Sequence, residues 1–269
     1  MTPHRDIAAV KLNLALHVRG QLPDGRHAIE TIFAFCADGD RLSAEPRDTL
    51  TLEVAGPFAG ELPPVEDNLV LRAAKALRDA ADVSEGAAIR LDKRLPVASG
   101  IGGGSADAAA ALRLLTSLWG IDPKHAEAVA PAIGSDVPAC LLSLPARGEG
   151  AGDALTPVEL PELTGAPVLL INPRVELATA DVFARWDGVD QGPLGDWRDG
   201  HNGLERPAIG LVPQIETVLA WLSVHPGAKF VRMSGSGATC FALFESEDER
   251  DAAADRVPRE WWRLATTLR

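Results

Sequence analysis

A glycine-rich stretch near residue 100 has the clearest chemical potential in this sequence. It carries four glycines between a predicted strand and a predicted helix, and it reads Pro96-Val97-Ala98-Ser99-Gly100-Ile101-Gly102-Gly103-Gly104-Ser105-Ala106. Glycine has no Cβ atom, so the backbone approaches an anion closely, and the first N–H groups of the helix point at the same place. The stretch therefore predicts a phosphate-binding loop. The alternative is a glycine-rich connection that binds no ligand.

This loop differs from two common nucleotide-binding loops. No Gly-Lys-Ser/Thr follows the glycines, and their spacing does not match the dinucleotide fingerprint. Ser105 stands where the helix is expected to begin. Its hydroxyl either caps the helix or turns to a phosphate or to a metal bound with it.

Three segments of the chain together resemble the motifs of the GHMP kinase superfamily. The loop resembles the nucleotide-binding motif, residues 10–14 (Val-Lys-Leu-Asn-Leu) resemble the first motif, and residues 233–239 (Met-Ser-Gly-Ser-Gly-Ala-Thr) resemble the third. The resemblance implies an α+β GHMP kinase fold of two lobes, with the active site in the cleft between them. It implies an ATP-binding lobe over residues 1–155 and a substrate-side lobe over residues 156–269, with ATP held by the loop from Pro96 to Ala106.

Further segments narrow the resemblance to one branch of the superfamily. These are Asp24-Gly25-Arg26-His27, Gly134-Ser135-Asp136-Val137-Pro138, and Asn202 followed by Leu204-Glu205. Members of this branch serve the non-mevalonate route to isoprenoid precursors. The resemblance implies transfer of the ATP γ-phosphate to the 2-hydroxyl of a diphosphocytidyl-methylerythritol substrate.

Phosphoryl transfer requires alignment, charge stabilisation and a group that accepts the hydroxyl proton. By resemblance, Asp136 is the general base, and Lys11 lies beside it, keeps it ionised and stabilises charge on the transferred group. A lysine that points inward from an apolar strand needs a partner, and Asp136 is the candidate. The alternative for both residues is a simple structural ion pair.

The residues expected to bind the cytidyl substrate are Asn13, Arg26, His27, Thr179 and Phe183. The resemblance implies that His27 recognises the cytosine edge, that Asn13 contacts the methylerythritol part and that the Phe183 ring stacks on the base. The family commonly places a tyrosine before the histidine, but Arg26 stands there and the chain contains no tyrosine. Arg26 either stacks through its guanidinium plane, reaches the diphosphate, or is solvated. Phe183 is alternatively a core residue, and Asn13 alternatively satisfies local backbone.

Two residues outside the loop are candidates for the ATP side. Lys93 precedes the loop and resembles a family residue near the nucleotide, and Asn68 at a predicted helix start is placed near the adenine. The alternative for Lys93 is a solvent-facing strand residue. Mg²⁺ is expected to accompany ATP and to be held by phosphate oxygens, with Ser105 as the one protein candidate and no dedicated cage.

Three rival functions follow from the same residues. Another GHMP kinase would phosphorylate homoserine or a mevalonate derivative, but His27 and residues 134–138 argue against it. A non-catalytic nucleotide-binding regulator on the same fold is expected to lose Lys11 or Asp136, and both are present. A nicotinamide-dependent oxidoreductase is disfavoured because the glycine loop lacks a flanking βαβ unit.

Alternating apolar residues predict the strands that must position these groups. They lie at residues 10–18 and 28–35, joined by a turn at residues 22–25, and at residues 50–54 and 88–91, while the apolar run at residues 168–171 predicts a buried strand. Residues 227–244 predict two further strands around the third motif, followed by a helix and a last strand.

Helical patterns place the remaining candidates. Helices are predicted from Asn68, over residues 106–119 with a stop at Gly120, and over residues 126–133. Residues 187–202 show little periodicity and predict a mobile loop or a domain junction. The mixture lacks a repeating βαβ period, which favours an α+β fold.

Composition excludes several classes of function. The chain has 269 residues, a net charge of −12 and a pI near 4.9, so its overall field does not attract nucleic acid or an anionic membrane. Its six histidines show no zinc-binding spacing, and the three cysteines are predicted to be buried reduced thiols. No apolar run reaches membrane-spanning length, and the expected location is the cytoplasm. The sequence predicts a monomer or a weak homodimer.

Overall fold

Two structural units share the chain in alternating segments. The computed structural model describes residues 4–269. The first unit contains the chain up to Val10 together with Asp38–Val97 and Gly102–Ser143. The second unit contains Lys11–Ala37, Ala98–Ile101 and Leu144–Arg269. The division at residue 155 into ATP-binding and substrate-side lobes stays a prediction.

Two long strands contribute a segment to each unit. They are β1 (His4–Gln21) and β2 (His27–Arg47), and both extend beyond the strands predicted from alternation. The turn between them is closed by the Gly25 N–H, which donates to the Leu22 carbonyl at 3.0 Å. The predicted hairpin is therefore confirmed.

The first unit pairs strands with a layer of helices. In it β2 pairs antiparallel with β4, which pairs parallel with β3. Its other elements, in chain order, are β3 (Thr51–Ala55), α1 (Leu69–Ala80), β4 (Gly86–Asp92), α2 (Gly103–Trp119), α3 (Lys124–Ile133) and α4 (Val137–Leu142).

The start of α1 and the end of α2 follow signals that the sequence provides. Asn68 caps α1 by accepting a hydrogen bond from the Val70 N–H. Gly120 ends α2 in the left-handed conformation, as predicted. The predicted start of α2 at residue 106 is wrong, because the glycines from Gly103 already adopt helical geometry. The buried residues of α1 include Val70, Leu71 and Leu77, because α1 packs against both α2 and α3.

The second unit is built around a four-stranded antiparallel sheet in the order β10-β7-β9-β8. Its strands and helices are β5 (Ala146–Glu149), β6 (Ala154–Pro157), β7 (Pro167–Asn172), α5 (Thr179–Ala184), α6 (Glu205–Leu211), α7 (Gln214–Ser223), β8 (Ala228–Met233), β9 (Cys240–Phe244), α8 (Glu247–Ala254) and β10 (Trp262–Thr267). The strands on either side of the third motif, the last helix and the last strand are confirmed. Elements β5, β6 and α4 to α7 have no counterpart among the sequence-based predictions.

Residues 187–202 form no helix or strand, as their lack of periodicity predicts, but they are anchored within the second unit. The Val18 N–H donates to Gln191 Oε1 at 2.8 Å, and the Leu194 N–H donates to Glu30 Oε2 at 2.8 Å. Leu194 and Trp197 bury their side chains. The segment is held along the β1–β2 hairpin at several points.

All three cysteines are buried and reduced. Burial raises the pKa of the Cys240 thiol well above its usual value, as expected for a structural thiol. Within residues 4–269, no helix is long and apolar enough to cross a membrane.

Candidate active site

Lys11 and Asn13 begin a buried chain of polar side chains on β1. The Lys11 ammonium donates to Asn13 Oδ1 at 3.0 Å, and the Asn13 amide donates to Thr31 Oγ1 at 2.8 Å. The Thr31 hydroxyl ends the chain by donating to the Ala15 carbonyl at 2.6 Å. Lys11 is 3% exposed and lies over the Phe33 ring, 5.0 Å from its centroid. An ammonium held in such surroundings keeps a fixed position, which suits a charge-stabilising role.

The third motif packs directly against the middle of the glycine loop. The Ser234 hydroxyl donates to the Gly100 carbonyl at 3.2 Å, and the Thr239 N–H donates to the Ser99 carbonyl at 3.2 Å. Gly100 has φ +75°, and a Cβ atom built there would lie 2.4 Å from the Gly237 carbonyl oxygen. Only glycine fits this turn, because both its conformation and its space exclude a side chain.

The first motif joins the same contact. The Lys11 N–H donates to the Ile101 carbonyl at 3.2 Å, and the Asn13 N–H donates to Ser234 Oγ at 3.2 Å. Ser234 therefore bonds to both other motifs through one hydroxyl group. Three segments that are distant in sequence meet within the second unit, with the predicted catalytic lysine among them.

The start of α2 supplies the remaining part of the glycine loop, within the first unit. Gly102 precedes the helix with φ +69°, and no side chain caps the helix there. Gly103, Gly104 and Ser105 are the first three residues of α2, so their N–H groups lack partners inside the helix. The capping alternative for Ser105 is wrong, since Ser105 lies in the first turn of the helix rather than before it. This uncapped, glycine-lined helix start is suited to an anion.

Asp136 belongs to a segment that runs beside this helix start. It directly precedes α4 and is half-buried, but its side chain does not cap that helix. A Cβ atom built at Gly134 would lie 3.9 Å from Ser105 Oγ, which places the segment carrying Asp136 next to the first turn of α2. Lys11 belongs to the second unit. Its action together with Asp136 stays a prediction.

Lys93 occupies a buried cluster of charges. Its ammonium lies 2.5 Å from Asp40 Oδ2 and 2.7 Å from Asp107 Oδ2, and the side chain is almost fully buried. The alternative of a solvent-facing Lys93 is therefore wrong: the residue turns inward because the buried carboxyl groups of Asp40 and Asp107 accept hydrogen bonds from its ammonium. Its Nζ would lie 3.2 Å from a Cβ atom at Gly103. The Lys93 ammonium thus lies against the first turn of α2. Its contact with the nucleotide stays a prediction.

Asp40 connects this cluster to the backbone segment just before the glycine loop. Its Oδ1 accepts hydrogen bonds from the backbone N–H groups of Arg94 and Leu95, the latter at 2.8 Å. Burial raises the pKa of Asp107 to about 8, the Lys93 ammonium opposes the shift, and the Asp40 carboxylate adds to it. Sequence reasoning overlooked both aspartates, although Asp107 is part of the glycine motif.

The raised pKa of Asp107 gives folding a pH dependence that can be measured. The unfolded carboxyl has its ordinary pKa of 3.8, so folding takes up a proton between that pH and about 8, and the associated stability is lost as the pH rises through this window. Asp107→Asn mimics the protonated carboxyl. We expect it to gain free energy of unfolding relative to the parent as the pH rises from about 5 to about 9. Urea unfolding across this range tests the expectation, with the exposed Asp79→Asn as control. Parallel stability curves for Asp107→Asn and the parent would contradict it.

Asn68 contacts its own helix rather than a distant group. Its Oδ1 is used in capping α1, and the residue is 6% exposed. The capping role is confirmed, while proximity to the adenine stays a prediction.

The residues predicted to bind the base form an aromatic cluster in the second unit. The His27 and Phe183 rings are stacked, with centroids 4.6 Å apart and an angle of 25° between their planes. The Trp186 ring meets His27 edge-on, with centroids 5.5 Å apart. Phe183 is only partly buried, so it is available for a ring contact with a ligand. Sequence reasoning did not identify Trp186.

Arg26 lies outside this aromatic cluster. Its guanidinium pairs with Asp24 at 2.8 Å and with Asp153 at 3.2 Å, and about half of its side chain is exposed. Hydrogen bonds from the guanidinium to these carboxylates hold it in place. Thr179, another predicted substrate residue, is exposed and shares a 2.9 Å hydrogen bond with Ser236 of the third motif.

Asn202 is a positioning residue for the third motif, with a role that sequence reasoning did not assign. Its side-chain N–H groups donate to the carbonyls of Met233 and Gly235 at 2.7 and 2.8 Å. Its Oδ1 accepts from the Leu204 N–H at 3.0 Å. Because this buried asparagine is fully hydrogen-bonded, it fixes the third motif, which contacts the glycine loop.

The loop, the converging motifs and the α+β units define a small-molecule kinase, and the chain belongs to the GHMP kinase family. Residues 68–143 match the GHMP kinases N terminal domain, and residues 190–264 match the GHMP kinases C terminal domain.

Relatives with similar sequences carry one name. The 4-diphosphocytidyl-2-C-methyl-D-erythritol kinase of Rhizorhabdus wittichii is 53% identical over 98% of this chain and 94% of its own length. That of Novosphingobium aromaticivorans is 46% identical over 98% and 93%. A crystal structure of 4-(cytidine 5'-diphospho)-2C-methyl-D-erythritol kinase superposes with a TM-score of 0.85 at 33% identity, covering 98% of both chains.

A more distant solved structure shares the fold alone. Homoserine kinase from Cytophaga hutchinsonii is 18% identical with a TM-score of 0.68, and the match covers 97% of this chain and 95% of that one. The α+β GHMP kinase fold predicted from the three motifs is confirmed.

Proposed function

We propose that this chain transfers the γ-phosphate of ATP to the 2-hydroxyl of 4-diphosphocytidyl-2-C-methyl-D-erythritol, a step in the formation of isoprenoid precursors. The observation that carries the proposal is the meeting of the three motifs: the Lys11 backbone N–H donates to Ile101 of the glycine loop, and the Ser234 hydroxyl bonds to both Asn13 and Gly100. The full-length similarity to kinases of that name supports the choice of acceptor.

The glycine loop and the start of α2 bind the ATP phosphates in this proposal. Backbone N–H groups of Gly103, Gly104 and Ser105 donate to phosphate oxygens, and the helix dipole adds to the attraction. The phosphates thus need no large positive surface, which agrees with a chain whose net charge is −12.

Asp136 accepts the proton of the 2-hydroxyl as the oxygen attacks the γ-phosphorus. Lys11 stabilises the negative charge on the transferred group. The Asn13 side chain accepts a hydrogen bond from the Lys11 ammonium, and Asp136 directly precedes α4. Catalysis then rests on alignment and charge, as phosphoryl transfer requires.

Mg²⁺ is proposed to bind with ATP. Within residues 4–269, no group of three His, Cys, Asp or Glu side chains is arranged to hold a metal ion. The half-buried hydroxyl of Ser105, in the first turn of α2, suits a hard cation that keeps phosphate oxygens as its other ligands. Bound there, the ion would offset phosphate charge during transfer.

The cytidyl substrate is proposed to contact Asn13, Arg26, His27, Thr179 and Phe183. The ring pair of His27 and Phe183 supplies a surface for the pyrimidine, and the ion-paired Arg26 lies next to it in sequence. A cytoplasmic location and a monomeric or weakly dimeric state remain predictions from sequence.

A coupled assay of ADP release tests the proposal. Purified protein is supplied with Mg-ATP and the cytidyl substrate, and in parallel with homoserine or mevalonate. The expected result is turnover with the cytidyl substrate and no turnover with homoserine or mevalonate. Turnover with another alcohol would overturn the acceptor but not the fold, and tight ATP binding without turnover would favour a regulatory protein.

A further inference from the structure

One carboxylate on β2 holds the backbone segment just before the glycine loop. Asp40 Oδ1 accepts hydrogen bonds from the N–H groups of Arg94 and Leu95, and its Oδ2 accepts from the Lys93 ammonium at 2.5 Å. Pro96 follows and has no N–H group, so these are the last backbone donors before the loop. Asp40 has no exposed surface, so it does not contact a nucleotide itself.

The same carboxylate is connected to the other end of the loop through Lys93. The Lys93 ammonium also donates to Asp107 Oδ2 at 2.7 Å, and Asp107 lies one turn after Gly103, the first residue of α2. Asp40 therefore holds the entry to the loop directly and the start of α2 indirectly. Asp40, residues 93–97 and α2 all belong to the first unit.

The backbone around this ion pair is fixed on both sides. Asp40 follows Gly39, where a Cβ atom would collide with the Ala8 carbonyl oxygen of β1. The Lys93 N–H donates to the Ala55 carbonyl at 2.7 Å. Because both partners are held by their own backbone, the ion pair gives a fixed position to the residues that it contacts.

Position 40 requires two acceptor oxygens. Its Oδ1 faces two backbone N–H groups, and its Oδ2 faces an ammonium. An asparagine offers one oxygen, so its NH₂ group would face either the backbone N–H groups or the ammonium. Asp107 differs, because its Oδ1 has no hydrogen-bond partner among residues 4–269. An asparagine at position 107 therefore keeps its oxygen toward Lys93 without placing a donor against a donor.

We propose that Asp40 is a positioning residue for the ATP phosphates. It fixes the two ends of the glycine loop, so that the N–H groups at the start of α2 keep the arrangement that binds phosphate oxygens. Asp40 acts through the backbone of residues 94–95 and through the Lys93 ammonium. This inference rests on the proposed function, since it concerns the ATP side of that reaction.

Asp40→Asn and Asp107→Asn test this role with the same chemical change on either side of one ammonium. At neutral pH, we expect Asp40→Asn to weaken ADP binding and to raise KM for ATP about 10- to 100-fold, because one end of the loop is displaced. KM for the cytidyl substrate should stay within about twofold of the parent. Asp107→Asn should weaken ADP binding by no more than about threefold, since it keeps its hydrogen bond to Lys93. Calorimetric titration and steady-state kinetics measure these values.

Asp6→Asn is a matched control for a general loss of stability. Asp6 accepts from the Ile7 N–H and from Arg113 of α2, both at 2.7 Å, so it also joins a backbone donor to a cation. It lies in the first unit, but neither of these partners belongs to the glycine loop. We expect a lower free energy of unfolding and parental ADP affinity. Urea unfolding of each variant shows how far a change in ADP affinity follows stability alone.

Hydrogen exchange in the parent protein tests the same coupling without a substitution. If breaking the Asp40 hydrogen bonds lowers ADP affinity about 10- to 100-fold, ADP must disfavour the broken state by the same factor. We therefore expect saturating ADP to slow the exchange of the Arg94 and Leu95 amides by local opening about 10- to 100-fold. The Ile7 amide, held by Asp6, should exchange by local opening at the same rate with and without ADP.

Two results would overturn the inference: parental ADP affinity in a folded Asp40→Asn variant, or an equal loss of affinity in Asp6→Asn. If Asp40→Asn does not fold, exchange of the Arg94 and Leu95 amides that ADP leaves unchanged would overturn it instead. A parent chain that binds ADP but does not phosphorylate the cytidyl substrate would overturn the proposed function alone. The ADP titrations would then still test the role of Asp40.

Discussion

Replacing Asp136 by asparagine is expected to lower kcat by about 10²- to 10⁴-fold, the usual contribution of a general base. The amide has nearly the same shape as the carboxylate but cannot accept the hydroxyl proton. The affinity for ATP should change little, because the loop N–H groups that are proposed to hold its phosphates are untouched. Single-turnover phosphoryl transfer, together with titration of the variant by ADP, measures the two effects separately.

The control for this substitution is Asp122→Asn. Asp122 is an exposed carboxylate before α3 in the same unit, and it accepts a hydrogen bond from the Lys124 N–H at 3.0 Å. The Asp122→Asn variant should retain the parental kcat. The variants Lys11→Met and Lys11→Met/Asp136→Asn extend the test: if the two residues act together, the double variant is little slower than the slower single one. An Asp136→Asn enzyme with parental kcat would rule out Asp136 as the base.

Replacing Gly100 by alanine is expected to reduce both activity and stability. The new methyl group would lie 2.4 Å from the Gly237 carbonyl oxygen and 2.7 Å from the Ser234 carbonyl oxygen, so the backbone must move. Left-handed strain and overpacking together are expected to cost about 2 to 5 kcal/mol of unfolding free energy. Displacement of the loop by about 1 Å would lower kcat/KM about 100-fold. Urea unfolding and steady-state kinetics measure the two effects.

Gly120→Ala separates the strain from the collision. Gly120 has a similar φ of +63°, but nothing lies within 4 Å of a Cβ atom there. This variant should lose about 1 to 2 kcal/mol of unfolding free energy through backbone strain alone. Its kinetics should be unchanged. Equal losses of stability in the two variants would show that contact with the third motif is not what requires glycine at position 100.

The sequence predicted those parts of the fold that depend on local signals. Asn68 caps α1 and Gly120 ends α2 because each acts on its immediate neighbours. Helices α6 and α7 escaped prediction because prolines interrupt or precede them, at Pro207 and Pro213, and because their apolar residues are shared with the sheet core.

The sequence predicted the motifs of the candidate site, but it did not predict the contacts between their side chains. Lys93 showed no local sign of burial, since Asp40 and Asp107, which balance its charge, lie 53 and 14 residues away. Trp186 was not identified for a related reason: its relation to His27 depends on how the segment after α5 approaches the hairpin. Ion pairs and ring contacts of this kind follow from tertiary structure, which periodicity does not encode.

The contact between Gly100 and Ser234 has a consequence for the order in which the protein acquires its structure during synthesis. The two residues are 134 positions apart. When residues 98–101 leave the ribosome, the strands that carry the third motif have not yet been made, so the turn has no hydrogen-bonding partner for its carbonyls. A nascent chain that ends before residue 234 therefore contains the whole glycine sequence, but its glycine loop is not yet completed. Formation of this loop must await the last part of the chain, as is typical of contacts with large sequence separation.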